Sequence, residues 1–594
     1  MSVLAERTDE PAAPRWASID WRTVETTVRR LQERIYRATE RGERRKARSL
    51  QQLLVRASSA KLLAIRRVTQ ENQGKHTAGI DGVVCDTPEA RAALFRTGLS
   101  LKGYKPLPVR RVYIPKGDGR RRPLGIPTVG DRVLQALVKL ALEPEWECRF
   151  EANSYGFRPG RCTMDAIEAL FHTLNQKGAS GWILDADISG CFDHIGHEPL
   201  LARLPVFTTT IRRWLKAGVV ELGHYADTEA GTPQGGVLSP LLANVALDGL
   251  ERLFGAERPD GRSISPGHRK SPNTGISLIR YADDFVVSAP SREVLEQYVR
   301  PRVEEFLRQR GLALSEAKTQ IVPVTEGLNF LGFQIRRYKR RTLTKPQKDK
   351  VLRHLRALQA YLDTHQQAPA GRVILIRASA RKPVPGAPGI APLSARRCDG
   401  SGGQVYKPGL RSVKDLTPVI RGWAHYYRHC AASATFHRAD HRQWQMLWRW
   451  AKRRHPNKSR RWVRRRYFRR DSYWTFHAKG VPLVRHGATP ITRFVKVRGR
   501  NSPYDPKLHA YWQQRTKQRI AGQTYARQRR TLLEAQAYRC ALCRLPLEGD
   551  DPLHEDHIIP RQAGGSDQLD NRRVVHAWCH HQRHSREGYK VPRA

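Results

Sequence analysis

The sequence lacks long hydrophobic runs. No stretch of about 18 apolar residues is free of charged residues, which excludes membrane-spanning helices. The first ten residues, MSVLAERTDE, contain acidic groups and lack the apolar segment of a secretory signal. Cysteine is sparse, with 9 among 594 residues, and only Cys540, Cys543 and Cys579 are grouped, so no disulfide framework is predicted. Together these absences predict a soluble protein in a reducing compartment, with cytoplasmic location and no membrane partner.

Acidic residues are also in short supply. The chain has 55 Asp and Glu against 106 Lys and Arg, which gives a formal charge of +51 at pH 7. An imbalance of this size far exceeds what solubility requires and favours a long polyanion, above all nucleic acid, as partner. The alternative is a basic surface that only interacts with solvent.

The periodicity of apolar residues divides the chain into several regions. Val24, Val28, Leu31 and Ile35 recur at helical spacing and predict two or three amphipathic N-terminal helices. Strand-like runs such as WILDADI and FVVSA then alternate with segments of helical periodicity up to Ile335, which predicts an α+β fold. Residues 382–409 are rich in Pro and Gly and interrupt a basic helical region, and a short Cys- and His-rich tail ends the chain.

Two adjacent aspartates, Asp283 and Asp284, lie between apolar strand-like runs in ISLIRYADDFVVSA. Alone, such a pair is typical of a solvated turn. Upstream, GWILDADISGCFDHI leads an apolar strand into Asp187, and a carboxylate at a buried strand end requires a compensating cation or partner. If Asp187 lies opposite the turn, the three carboxylates are suited to two divalent ions that catalyse phosphoryl transfer. All-oxygen donors favour Mg²⁺.

The tail contains CALC, with Cys540 and Cys543, and later the pair His576 and Cys579. Four sulfur and nitrogen donors at this spacing predict a tetrahedral structural Zn²⁺ site.

Several sequence blocks carry a family resemblance. SYGFRPGR, LDADISGCFDHI, GTPQGGVLSPLLANV, RYADDFVV, GLALSEAKT and LNFLGFQI occur in this order and resemble the reverse transcriptases encoded by group II introns. The resemblance implies a right-hand polymerase with fingers and palm, an α-helical thumb and maturase domain, and a basic DNA-binding region. The expected organisation is an N-terminal helical extension at 1–75, fingers and palm at 76–340, thumb and maturase X domain at 341–480, DNA-binding region at 481–535 and tail domain at 536–594.

The resemblance also implies roles for residues of the polymerase. Asp187, Asp283 and Asp284 correspond to the catalytic ligands of two Mg²⁺ ions. The residues that correspond to the nucleotide-binding group are Lys116, Arg122, Phe192 and Gln234. Among them, Phe192 corresponds to the gate that excludes a ribose 2′-hydroxyl. Lys318 and Gly332 correspond to the primer and template side. Asp193 is interpreted as structural and turned away from the metals by strand register.

Within the tail, EDHIIPR, GG, DN and CHHQRH resemble the HNH nuclease motif, a small ββα-metal unit that contains zinc here. The resemblance implies His557 as general base, Asp556 and His580 as ligands of the nuclease metal, and Asn571 as the residue that orients the motif. The family's four-cysteine cluster has His576 in place of one cysteine, and His581 and His584 are alternative ligands. A zinc knuckle that binds DNA without cutting it remains the alternative.

The segment RGWAHYYRHC resembles the sequence motif of the maturase region called X. Farther along the chain, Arg464, Arg465 and Arg466 are the best candidates for contacts with RNA phosphates. For Trp423, Tyr426 and Tyr427, burial is at least as well supported as base stacking. The implied partners are the group II intron RNA, target DNA and dNTPs, within a bacterial cytoplasm and near the nucleoid. The oligomeric state stays open.

Two other hypotheses for the whole chain also stay open: a splicing maturase with an inactive polymerase, and a reverse transcriptase of a defence or diversity-generating system. The intact Asp187 and Asp283–Asp284 count against the first, and the tail and region X count against the second.

Overall fold

The structure is a computed structural model. The structure describes residues 16–115, 121–175, 181–256, 264, 268–270, 273–339, 341–366, 416–470, 473–478, 481–522, 527–547 and 553–587. Two features of the sequence analysis therefore lie outside the described residues: Lys116, and the Pro- and Gly-rich stretch at 382–409.

The N-terminal region is helical, as its apolar spacing predicts. The helices are α1 (Trp21–Glu40), α2 (Arg44–Arg56), α3 (Ser58–Arg66) and α4 (Pro88–Arg96). The side chain of Asp20 accepts hydrogen bonds from the backbone N–H groups of Arg22 and Thr23 and so caps the start of α1. The apolar faces of α1 to α3 pack on α5 (Val129–Arg149), which is buried along most of its length.

Two four-stranded sheets follow. Their strands are β1 (Val109–Pro115), β2 (Arg121–Ile126), β3 (Trp182–Asp187), β4 (Val219–Glu221), β5 (His224–Ala226), β6 (Ser277–Tyr281), β7 (Asp284–Ala289) and β8 (Gln320–Pro323). The first sheet has the order β2–β1–β4–β5 and the second β6–β7–β3–β8. The helices of this region are α6 (Thr163–Leu174), α7 (Cys191–His194), α8 (His197–Ala202), α9 (Thr208–Leu215), α10 (Ser239–Leu247) and α11 (Arg300–Arg308).

The second sheet is antiparallel, and its strands β6 and β7 are buried except at Tyr281 and Asp284, where they meet the turn. β7 pairs with both β6 and β3, so that Asp284 lies opposite Tyr281 on one side and opposite Asp187 on the other. Leu184, Phe285 and Val287 from the same strands lie in the main hydrophobic core. Because neighbouring strands are in register, the apolar pattern that buries these residues also brings the polar strand ends together.

The chain continues through β9 (Leu328–Phe330), β10 (Phe333–Tyr338) and β11 (Arg341–Pro346), which form a sheet in the order β11–β10–β9. The next elements are α12 (Lys348–Thr364), α13 (Leu416–Tyr427), α14 (Ser433–Arg454), α15 (Arg460–Tyr467), β12 (Phe468–Arg470), β13 (Trp474–Ala478) and β14 (Val481–Pro482). Aromatic and aliphatic residues from these helices and strands, including Tyr361, Trp450 and Phe476, form a separate core.

The C-terminal region contains α16 (His509–Gly522), α17 (Arg527–Ala535), β15 (Leu553–His557), β16 (Arg572–His576) and α18 (Ala577–Arg586). β15 and β16 are antiparallel, and α18 follows directly, so this segment has the ββα order. Trp578 of α18 lies against the N-terminal helices, where the Arg66 guanidinium is 4.0 Å from its ring centroid. Gln582 donates hydrogen bonds to the carbonyls of Ala17 and Ile19.

The chain divides into two compact units. One comprises 1–328, 336–342 and 494–594, and the other comprises 329–335 and 343–493. The protein is therefore a mixed α/β, multidomain chain. Within the parts that the structure describes, no helix is both long and apolar enough to cross a membrane.

Candidate catalytic and metal sites

The two adjacent aspartates stand at the tip of a β-hairpin, as the sequence predicts. β6 ends at Tyr281, β7 begins at Asp284, and Ala282 and Asp283 form the turn. Ala282 has φ of +60°, a left-handed conformation that is costly for a residue with a Cβ atom. Gly156, from the SYGFRPGR block, packs against this turn so closely that a Cβ on it would lie 2.3 Å from the Ala282 nitrogen. The glycine therefore lets the neighbouring loop support the strained turn.

Asp187 ends β3 directly opposite Asp284, so the structure brings these two aspartates together across the sheet. Burial, followed by repulsion from Asp283, raises the pKa of Asp284 to about 7. Burial also raises the pKa of Asp283. The Lys318 ammonium forms an ion pair with the Asp187 carboxylate. The site thus holds excess negative charge, which one lysine partly balances.

The three aspartates are all-oxygen donors in a partly buried, acidic position, which fits a hard divalent cation rather than one that prefers nitrogen or sulfur. They are not, however, drawn into a compact ligand set. Among the described residues, the sets of three or more donor atoms within 4.8 Å of one another all lie in the C-terminal region. The ion pair with Lys318 therefore competes with cation binding at Asp187.

A chain of hydrogen bonds joins two of the predicted nucleotide-site residues. Arg122 donates through Nε to Oε1 of Gln234 at 2.9 Å, and Gln234 donates through Nε2 to both carboxylate oxygens of Asp193, at 3.0 and 3.1 Å. The interpretation of Asp193 by strand register was wrong, because Asp193 lies on the short helix α7. Its carboxylate orients the amide of Gln234, a contact that no local pattern reveals.

Phe192 is 9% exposed, and its ring contacts Phe157 edge-to-face with centroids 6.1 Å apart. The glycine-rich loop holds its backbone, since the Thr232 N–H donates to the Phe192 carbonyl. Gly231 has φ of +86°, and a Cβ on it would lie 2.6 Å from the Asp193 carbonyl oxygen. The glycine is therefore required for the close approach of this loop to α7.

The second unit carries a basic, aromatic surface. Arg464, Arg465 and Arg466 are exposed on α15, and the Arg464 guanidinium lies 5.4 Å from the Trp474 ring centroid. Tyr473 is also exposed, with Arg485 4.0 Å from its ring. Exposed rings next to guanidinium groups can stack on unpaired bases while the charges bind phosphates.

The aromatic residues of RGWAHYYRHC have internal contacts. Tyr427 is buried and donates to the Gly332 carbonyl, and Tyr426 donates to the Leu331 carbonyl while remaining partly exposed. Trp423 stacks on His354 with centroids 4.6 Å apart. Their main role in the described structure is packing, and Gly332, in the left-handed region with φ of +84°, is part of the same contact.

In the C-terminal region, Cys540, Cys543, His576 and Cys579 place one donor atom each within 4.8 Å of one another. Nδ1 of His576 is 3.4 Å from Sγ of Cys543 and 3.8 Å from Sγ of Cys579. A tetrahedral zinc with sulfur at about 2.3 Å and nitrogen at about 2.0 Å requires such separations to be about 3.5 Å. The four residues therefore fit a structural Zn²⁺.

A second donor set joins Asp556, His580 and His584. Oδ1 of Asp556 is 3.4 Å from Nε2 of His580 and 4.0 Å from Nε2 of His584. Oδ2 accepts from Arg573 at 2.9 Å and from Arg583 at 2.8 Å, so the arginines turn the other oxygen toward the histidines. Burial lowers the pKa of His580 to about 4, which keeps its ring neutral and able to bind a metal. The site fits a divalent ion with His584 as a third donor, whereas the sequence predicted His584 only as an alternative zinc ligand.

The predicted base His557 is next to Asp556 in β15, and its Nε2 lies 2.8 Å from Oδ1 of Asp567. Asn571 closes the loop after β15: its Oδ1 accepts from the Ile559 N–H at 2.8 Å, and its Nδ2 donates to the carbonyls of Ile559 and Ser566. Asp567 was not predicted from the sequence, because it lies 10 residues from His557 along the chain and no local pattern joins the two. Its position just after GG in a loop of the motif was the only signal.

Four family models match the chain. They describe an N-terminal domain of reverse transcriptase at residues 16–97, a reverse transcriptase (RNA-dependent DNA polymerase) at 114–335, a group II intron, maturase-specific domain at 408–468, and an HNH endonuclease at 540–586. Their order along the chain is the one that the sequence blocks predict.

Individual proteins are similar over the polymerase region. Protein YkfC of Escherichia coli is 34% identical over 304 residues, which cover 46% of this chain and 80% of YkfC. Group II intron-encoded protein LtrA of Lactococcus lactis is 31% identical over 322 residues, 45% of this chain and 53% of LtrA, so the chain spans only about half of that relative. A structure of telomerase from Candida albicans is 13% identical, with a TM-score of 0.30, over 46% of this chain and 51% of that one.

The matches confirm the resemblance drawn from the sequence blocks. Reverse transcriptase and HNH endonuclease domains both imply divalent metals, and the Cys and His cluster is consistent with zinc. The maturase-specific domain implies that the chain binds intron RNA. The chain belongs to the family of group II intron-encoded reverse transcriptases and maturases that carry an HNH endonuclease domain.

Proposed function

We propose that the protein copies its own intron RNA into DNA at a site that it cuts itself. As a maturase it binds the intron RNA and assists splicing; its HNH domain then nicks target DNA, and the released 3′-hydroxyl primes reverse transcription, the sequence of steps called retrohoming. The observation that best supports this proposal is that one chain carries both the opposed Asp187 and Asp284 and the donor set of Asp556, His580 and His584. The expected setting is the nucleoid of a bacterial cytoplasm.

For polymerisation, Asp187, Asp283 and Asp284 would hold two Mg²⁺ ions. When bound, such ions increase the nucleophilicity of the primer hydroxyl and stabilise the departing pyrophosphate. The ring of Phe192 limits the room beside the sugar and disfavours a 2′-hydroxyl. Arg122 and Gln234, joined by their hydrogen bond, contact the incoming nucleotide, together with Lys116 from outside the described residues. Lys318 and Gly332 would each contact the primer and template.

In this proposal the fingers and palm extend over 76–340, the thumb and maturase region over 341–480 and the DNA-binding region over 481–535. The exposed arginines Arg464, Arg465 and Arg466 neutralise phosphates of the intron RNA, while Tyr473 and Trp474 stack on its unpaired bases.

For nicking, His557 accepts a proton from the attacking water. Its Nε2 is held by Asp567, which leaves Nδ1 to take the proton, and the resulting imidazolium is stabilised by the same carboxylate. Asp556, His580 and His584 would hold a divalent ion, which when bound stabilises the charge on the scissile phosphate and the leaving 3′-oxygen. Asn571 keeps the loop and β15 in the geometry that this proton transfer needs.

The test uses full-length protein with its intron RNA and a target duplex. Asp283→Ala with Asp284→Ala should abolish primer extension while RNA binding, splicing and nicking persist, because these carboxylates lie far along the chain from the nuclease set. His557→Ala should abolish nicking and keep primer extension from a supplied primer. Asp227→Asn, at an exposed position, is the matched control. DNA synthesis by the double alanine variant would refute the metal-site assignment.

A maturase with an inactive polymerase is the second candidate. The ion pair between Lys318 and Asp187 is the observation that favours it. Primer extension by the wild-type protein on an RNA template decides between the two, since an inactive polymerase gives none at any Mg²⁺ concentration.

A further inference from the structure

Three histidines form a donor set beside the nuclease set. His554, His580 and His581 each place one ring nitrogen within 4.8 Å of the others, and all three are partly exposed. His554 lies on β15 two residues before Asp556, so both side chains leave the same face of the strand. His581 follows His580 on α18. His580 therefore belongs to two donor sets.

The two nitrogens of His580 face different partners. Nε2 lies 3.4 Å from Oδ1 of Asp556, whereas Nδ1 lies 3.2 Å from Nδ1 of His554. Two imidazole nitrogens bound to one tetrahedral zinc at about 2.0 to 2.1 Å are about 3.3 Å apart. The observed separation matches this value, and the third ring, His581, has its centroid 5.4 Å from that of His554.

We propose that His554, His580 and His581 form a second metal site in the HNH domain, selective for Zn²⁺ or a similar borderline ion. Three imidazoles are a preferred donor set for such ions, while Mg²⁺ requires oxygen donors and is excluded. This inference concerns binding and holds whether or not the domain cuts DNA.

Sharing His580 has a consequence for the nuclease. A neutral imidazole carries a proton on one nitrogen and can donate a lone pair only from the other. An ion bound through Nδ1 therefore removes the tautomer in which Nε2 binds the nuclease ion. Zinc at the three-histidine site should weaken metal binding at Asp556 and His584 and reduce nicking.

The decisive experiment counts zinc on the full-length protein by equilibrium dialysis and elemental analysis. Asp556→Asn with His584→Ala removes the nuclease set but leaves the three histidines. We expect this double variant to lose exactly one further zinc per chain when His581→Ala is added. The matched control is His224→Ala, an exposed histidine of β5, which should leave the count unchanged. An unchanged count in the triple variant overturns the proposal.

A cobalt titration of the protein with its native sequence provides an independent measurement. Co²⁺ at the cysteine cluster gives intense thiolate charge-transfer bands, whereas Co²⁺ bound by imidazoles gives only weak visible bands. We expect a second class of bound Co²⁺ without charge transfer that survives Asp556→Asn and disappears with His554→Gln. If every such band depends on Asp556, then His554 and His580 are joined only by a hydrogen bond, and the proposal fails.

Discussion

The polymerase and nuclease regions hold their candidate metal donors in different ways. In the polymerase region the backbone brings Asp187 and Asp284 together by strand register, yet their carboxylates and that of Asp283 do not form a compact set. In the nuclease region the donors of Asp556, His580 and His584 already lie within 4.8 Å of one another. The backbone positions the donor residues in both regions, but only in the nuclease region do three donor atoms lie within 4.8 Å of one another.

The difference follows from charge. Like-charged carboxylates repel one another, and burial raises the pKa of Asp283 and Asp284. The side chains of Asp284 and Asp187 share a hydrogen bond, but Asp283 does not join them in a set of three donors. Neutral histidines and cysteines repel little, and one carboxylate among them is balanced by Arg573 and Arg583. A site of acidic donors therefore needs its cations for assembly, whereas a mixed site can be organised beforehand by hydrogen bonds and ion pairs.

The largest effect is expected from loss of the cysteine cluster. Cys579→Ser should eliminate nicking and unfold the C-terminal domain, because structural zinc supplies folding free energy directly and β16 leads into α18 at this point. Limited proteolysis and nicking assays measure this loss, with primer extension retained. Cys148→Ser serves as control. Full nuclease activity in the Cys579 variant would show that the domain does not depend on the cluster.

A second change tests the role of the backbone in the polymerase region. Gly156→Ala should reduce primer extension about 100-fold, since a displacement of about 1 Å at a reacting centre can have an effect of this size. A Cβ at this position meets the Ala282 backbone at 2.3 Å and must move the turn that carries Asp283. Nicking should not change. Gly422→Ala, where the structure leaves open space, is the control; equal activities of the two variants would mean that the turn tolerates movement.

A smaller effect is expected at Asp567. Asp567→Asn weakens a charge-assisted hydrogen bond to His557, and because Asp567 is largely exposed we expect nicking to fall only about tenfold. Single-turnover nicking rates at saturating metal measure the change. Glu534→Gln is an exposed control in the same region. A nicking rate equal to that of the wild-type protein would show that Asp567 does not orient His557.

The smallest effect concerns the counter-charge of the polymerase region. Lys318→Met should lower the Mg²⁺ concentration for half-maximal primer extension about twofold to fivefold, because the ammonium competes for Asp187 in a partly solvated position. A Mg²⁺ titration compares it with Lys46→Met, an exposed control. If the Lys318 variant requires a higher Mg²⁺ concentration, then Lys318 does not compete with Mg²⁺ for Asp187 but promotes metal binding.

Part of the site could be predicted from local sequence. The hairpin tip at Asp283, the strand ending at Asp187 and the CxxC pair are all visible in short windows, since strand periodicity, turn chemistry and ligand spacing act over a few residues. The contact of Asp193 with Gln234, the support of Ala282 by Gly156 and the pairing of Asp567 with His557 were not predicted. Each joins residues whose spacing depends on how helices and loops pack.

The amino-acid sequence by itself determined the family, the order of the domains, the basic character and the types of donor at each candidate site, because these depend on composition and on motifs of fixed spacing. Only the tertiary structure decided which donors meet. It leaves the three carboxylates of the polymerase region short of a compact three-donor set, gathers the histidines around His580 and pairs Asp187 with Lys318. The physical reason is that side-chain distances depend on long-range packing and on the balance of charges within it.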